Sequence, residues 1–155
     1  MKNISRKGQS AKFVCVIGIW ALGFGLLPKV LGSETVSLSS LDLSGTEQDW
    51  GSPQKDKSVD GHPLSIGGKK FETGLGTHAT SSLRINLKGQ GERFAAWVGV
   101  DDEEKGQPSS ITFSVDGDGK TLWESGVMRA GDAAKQVDVD VRGVKSLHLL
   151  VGDAG

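Results

Sequence analysis

Leu83-Arg84-Ile85-Asn86-Leu87-Lys88 alternates apolar and polar residues without a break. A strand turns successive side chains to opposite faces, so Leu83, Ile85 and Leu87 share a buried face while Arg84, Asn86 and Lys88 meet water. The same period of two recurs downstream at Ile111/Phe113/Val115, Val137/Val139/Val141 and Leu147/Leu149/Val151. No stretch shows the i, i+3, i+4, i+7 spacing of an amphipathic helix. Phe94 to Val100 is apolar on both alternations, which predicts a central strand covered on both sides. Asp138 and Asp140, interleaved with the valines, would resist edge-to-edge pairing and suit an edge strand.

Turn signals separate these runs: Gly67-Gly68, Gly89-Gln-Gly91, Asp116-Gly-Asp-Gly119, Gly131-Asp132 and Arg142-Gly143. Glycine supplies 23 of 155 residues and proline only 4, the balance of tight turns rather than of a disordered linker. Short strands so punctuated predict an all-β sandwich or barrel. Leu64-Ser-Ile66 and Lys69-Lys-Phe71, joined by Gly67-Gly68, predict a two-residue hairpin. Residues 44–62 are polar and aperiodic, a long loop of the kind that carries function or disorder.

The first 32 residues differ in kind. They hold Lys2, Arg6, Lys7, Lys12 and Lys29 and no carboxylate, and the run from Phe13 to Leu27 is apolar. A basic lead followed by a 15-residue apolar stretch is the layout of a secretory signal, with cleavage expected after Gly32. The run is shorter than the ~20 residues that span a bilayer, which disfavours a stable membrane anchor. Cys15 would leave with it, so residues 33–155 form one cysteine-free domain, secreted or placed at the cell surface or in the periplasm. That domain has 13 basic against 19 acidic groups, a net charge of −6. A chain of that sign with no basic cluster excludes a nucleic-acid partner, whose phosphates demand Lys and Arg.

Few residues carry chemistry. Trp50, between Asp49 and Gly51 in the polar loop, is either a platform for the apolar face of a sugar or a plug over one end of the sandwich. Trp123 suits a half-buried sheet position, and Trp97 the core. His78, in Gly74-Leu-Gly-Thr-His-Ala79, can donate to and accept from hydroxyls, which suits a polyol, or can tie two loops together. His62 and His148 have no ligand spacing that would join it in a metal site. Asp101-Asp-Glu-Glu104 reads as a solvated strand-end turn, a Ca²⁺ site or a pair of carboxylates for glycoside hydrolysis. Asp116-Gly-Asp-Gly-Lys120 puts Lys120 where a calcium loop needs oxygen, so it is a hairpin turn. The sequence has no Gly-x-Ser-x-Gly elbow and no phosphate-binding glycine loop.

The ordered series resembles the NPCBM-type carbohydrate-binding module, also classed as the family 51 carbohydrate-binding modules and found with family 98 glycoside hydrolases. Its carriers are Trp50-Gly51 with Lys55-Asp56 and Ser58, Gly74-Leu-Gly76 with His78-Ala79, Phe94 through Glu103, Phe113-Ser-Val115, Leu122-Trp123, and Leu147 through Val151 with Asp153-Ala-Gly155. The likeness spans nearly all of residues 36–155. It implies a galactose-binding-like jelly-roll β-sandwich, sugar recognition in loops at one end, and often a structural Ca²⁺. Carried over residue by residue, Trp50, Lys55 and His78 are the expected sugar contacts, with Asp101 and Asp102 beside that site or structural.

Members of the family continue past the Asp-Ala-Gly with a segment that adds a last strand. Two or three buried apolar side chains at roughly 1.5–3 kcal/mol each are worth about 3–9 kcal/mol, so residues 33–155 are expected to form an incomplete, destabilised module. The expected function is non-catalytic binding of extracellular or cell-surface carbohydrate of galactose type. The alternatives are an adhesive domain that binds protein, or a small glycosidase using Asp101 to Glu104.

Overall fold

The computed structural model describes residues 10–19 and 34–155, and within them the regular structure is almost wholly β. In chain order the strands are β1 Ser10–Ile19, β2 Glu34–Ser37, β3 Glu47–Gln48, β4 Gln54–Lys55, β5 Leu64–Ile66, β6 Lys69–Phe71, β7 Leu75–His78, β8 Ser81–Asn86, β9 Gly91–Val100, β10 Ser110–Gly117, β11 Lys120–Arg129, β12 Lys135–Asp140 and β13 Ser146–Asp153. All pairings are antiparallel. One sheet has the order β12-β9-β1-β7-β4, with β2 also on β1; the other runs β11-β10-β13-β8-β3.

The expected alternation is the packing. Leu83, Ile85, Phe94, Ala96, Val98, Ile111, Phe113, Val115, Val137, Leu147, Leu149 and Val151 form one continuous buried cluster between the two sheets. Sidedness is what period two provides: the intervening Arg84, Asn86, Asp138 and Asp140 are exposed. β12 lies at the edge of its sheet, where Asp138 pairs with Arg93 of β9. β9 is an interior strand between β12 and β1, and both its faces are covered, the second partly: Ala95 and Trp97 are half-buried and Gly99 is buried. Its outer side meets the β5–β6 hairpin, whose Leu64 and Ile66 are fully buried with Phe71, Trp97 and Ala134 around them. Gly99 is what admits that hairpin, because a Cβ there would run into Ile66 Cγ2.

Both short hairpins close on two-residue turns with positive φ. Gly67 (φ 57°) and Gly68 (φ 81°) join β5 to β6, and Asp118 (φ 49°) and Gly119 (φ 81°) join β10 to β11. The Asp118 carboxylate accepts the backbone N–H of Lys145 and Ser146, so the Asp116–Lys120 stretch is the expected turn with its acid turned to structural use.

One part of the chain differs from expectation. The polar 44–62 stretch is not one loop: β3 pairs with β8 in one sheet and β4 with β7 in the other. It therefore crosses the end of the sandwich. β1 lies within the stretch read as an export signal. Its backbone pairs with β9 from Ala11↔Val100 to Ile19↔Gly91, with β7 over Ser10–Phe13, and with β2 over Val16–Ile19. Residues 1–9 and 20–33, including the expected cleavage point after Gly32, lie outside the described residues.

Candidate functional site

Two crossings from sheet to sheet meet at one end of the sandwich. The first carries the chain from β3 to β4 with Trp50 at its tip; the second carries it from β7, which ends at His78, into β8. They are clasped together. The Asp49 N–H donates to the Thr80 carbonyl at 3.1 Å, and the Thr80 N–H donates back to Asp49 Oδ2 at 3.4 Å. Gln48 Nε2 donates to the Trp50 carbonyl at 2.6 Å, which fixes the tip of the first crossing.

The result is an aromatic corner. The Trp50 and His78 ring centroids are 5.6 Å apart with the planes tilted by 57°. Trp50 is 51% exposed whereas His78 is only 9% exposed, so the indole faces solvent over a histidine held in the sheet. Buried His78 Nδ1 and Gln48 Oε1 have no hydrogen-bond partner among the described residues. Buried polar atoms ordinarily find partners, and a hydroxyl-bearing ligand supplies both donors and acceptors.

The floor under the crossing is rigid because the 55–58 turn is pressed onto β7. Asp56 N–H donates to the Gly74 carbonyl, Gly74 N–H returns a bond to Asp56 Oδ1 at 2.9 Å, and Ser58 is fully buried. Gly76 permits this contact: a Cβ there would strike the Lys57 carbonyl oxygen and stand 2.8 Å from Ser58 Cα. Lys55 itself is exposed on β4, beside a dent of about 540 Å³ that also takes in Gln48 and Gly51. Across that dent, the Ser44 N–H and hydroxyl, with a smaller contribution from the Lys55 charge, hold the Asp42 carboxyl below its ordinary range.

Of the five residues singled out by sequence, Trp50 and His78 come together and Lys55 stands at the flank of the same crossing. Asp101 and Asp102 follow the end of β9 and are not on the two crossings. Ala11 of β1 pairs with Thr77 on one side and Val100 on the other, so β1 separates the end of β9 from β7 by about 10 Å, two strand spacings. Asp101 is fully buried and caps the 3-10 turn Asp102–Glu104 through the Glu103 N–H. Asp102 Oδ2 accepts the Ser65 hydroxyl and the Gly68 N–H at 2.8 Å, and Oδ1 meets Lys105 Nζ at 3.1 Å. Burial alone would raise the Asp102 carboxyl; Ser65, Gly68 and Lys105 together outweigh it and hold it low. Asp102 ties the β5–β6 hairpin to the end of β9. No group of three or more His, Cys, Asp or Glu that could hold a metal ion occurs among the described residues.

The clasp residues Gln48, Asp49 and Thr80 were not visible from sequence. The only signal was their adjacency to Trp50 and His78, and pairing across two crossings is set by topology rather than by spacing.

Comparison with known proteins agrees with this fold. The NPCBM/NEW2 domain model matches residues 34–155. An alpha-1,3-galactosidase B of Akkermansia muciniphila is 37% identical over 159 aligned positions, covering 97% of the chain. The chain spans only 9% and 20% of the length of the two curated relatives it matches. Among solved structures, the CBM51 of a Clostridium perfringens GH95 protein in complex with methyl-galactose superposes with a TM-score of 0.72 at 35% identity, over 77% of this chain and 88% of that one. The CBM51-2 and INT domains of ZmpB from the same organism, with CBM51-2 in complex with GlcNAc, give 0.71 at 32% identity, over 79% and 30%.

Proposed function

Because the chain belongs to the NPCBM/NEW2 domain family, we propose that its Trp50–His78 corner is a non-catalytic binding site for a terminal galactose-type residue of a glycan. The observation that carries this reading is the half-exposed indole braced over a buried histidine on two clasped crossings. The indole takes the apolar face of the ring, and polar groups beside it take the hydroxyls. The methyl-galactose complex of the GH95-associated relative supports the choice of sugar.

Binding at one shallow corner is weak, near the millimolar level that corresponds to about −4 kcal/mol. Useful retention therefore comes from several modules on one ligand or from a partner catalytic domain. Glycosidase activity, where it occurs, belongs to that partner. The basic and apolar opening of the chain supports export to the cell surface or beyond, where such glycans lie.

Calorimetric titration with methyl-galactoside is expected to show one weak site that Trp50→Ala abolishes. Absence of binding by folded protein, or retention of it in the variant, overturns the assignment.

A further inference from the structure

A second feature adjoins the corner. On the outer face of the second sheet, Ser114 of β10, Leu150 of β13, Ser82 of β8 and Glu47 of β3 pair in register as one row across four strands. Three strand spacings make this row about 14 Å long. On the same face, Thr112 lies opposite Gly152, and a Cβ at Gly152 would come within 2.8 Å of Thr112 Oγ1. The missing side chain leaves a groove of about 450 Å³, within the range of small-molecule sites. Leu150 is its apolar floor, and Ser82, Ser114 and Thr112 are its hydroxyl rims, with no hydrogen bond among the described residues. The groove opens at Gln48, Asp49 and Thr80, the residues that clasp the Trp50 crossing.

We propose that this groove is an extension subsite for the neutral sugar residues that follow the terminal one, so that the module recognises an oligosaccharide rather than a single ring. The inference rests on the reading of the Trp50–His78 corner given above. Its chemistry is that of a carbohydrate track: hydroxyls that both donate and accept, spaced along a strip with an apolar floor. No cation lines the groove, and Glu47 and Asp49 stand at its mouth, so sialylated or sulfated glycans are disfavoured.

The test compares methyl-galactoside with a neutral galactose-terminated tetrasaccharide by calorimetry, on the full chain and on Ser114→Tyr, which fills the groove. Wild type is expected to bind the tetrasaccharide about tenfold more tightly, a difference of about 1.4 kcal/mol. Ser114→Tyr is expected to erase that preference while leaving methyl-galactoside affinity unchanged. Ser82→Ala/Ser114→Ala, which removes hydroxyls without adding bulk, is expected to reduce the preference and covers the case in which the tyrosine variant does not fold. A sialylated tetrasaccharide is expected to gain nothing over the monosaccharide. Equal wild-type affinity for both neutral ligands, or a preference that survives both variants, overturns the subsite while the corner stands. An equal gain from the sialylated ligand overturns its neutral specificity. Failure of both neutral ligands to bind wild type overturns the corner and the subsite together.

Discussion

Trp50 and His78 lie in ring contact but differ in what they do for the fold. Trp50 is half exposed at the tip of a crossing, so Trp50→Ala is expected to abolish sugar binding while changing stability by no more than about 1 kcal/mol, as titration and thermal melting of one sample will show. His78 is buried within β7, so His78→Ala is expected to lose binding and about 1–3 kcal/mol of stability together. Asp102 is bound into the fold by Ser65, Gly68 and Lys105. Its carboxyl sits below its ordinary 3.8 in the folded chain, so the charged form stabilises the fold fully above that pH. The contribution is lost as pH falls through the lowered folded value. Asp102→Asn is therefore expected to cost about 1–3 kcal/mol at neutral pH and to flatten the acid limb of the stability profile, with sugar affinity at pH 7 unchanged. Asp140, held down to about 2 by the adjacent Arg142, is exposed on the far edge strand, away from the hairpin and the corner.

The crossings show how strand order makes a site. β3 and β8 belong to one sheet and β4 and β7 to the other, so the two links between sheets come to one end and bring Trp50 to His78. Gly76 sets the height of that assembly by letting the 55–58 turn rest on β7. Gly76→Ala is expected to displace the turn, lower stability by about 1–3 kcal/mol and weaken sugar binding, measured by denaturant unfolding and titration. Alternation made β8, β9, β10, β12 and β13 legible in the sequence, because period two records which face of a strand is buried. The hairpin at Gly67-Gly68 was legible for a different reason, since positive φ at both central residues selects glycine. The two-residue strands β3 and β4 were not legible. They bury too little to leave a period, and their place is set by the edges they join.

The molecule as a whole depends on β1. That strand is flanked by β9 along its length on one side and by β7 and β2 on the other, so it alone connects the two halves of its sheet. Removing it opens three strand edges at once, each with unpaired backbone groups. A chain that begins at Glu34 is expected to lose its cooperative melt or to associate through those edges. Calorimetry at two protein concentrations checks this, and a reversible, concentration-independent transition above about 50 °C would count against it. Cleavage after Gly32 and the sheet order described here are consequently two different states of the chain, because the same residues cannot be both removed and paired. Mass spectrometry of exported protein tells which state is displayed.

Sequence by itself determined the strand class, the two-faced burial of β9, the turns that need positive φ, and the presence of a tryptophan and a histidine suited to sugar. All of these are local consequences of side-chain period and backbone sterics. Only the tertiary structure decided that Trp50 and His78 meet, that Asp102 binds the β5–β6 hairpin, that a hydroxyl-lined groove adjoins the corner, and that Ser10–Ile19 occupies the middle of a sheet. Those depend on which strand edges pair across long stretches of chain. A segment's apolarity tells that it will be buried; only the pairing of distant edges tells where.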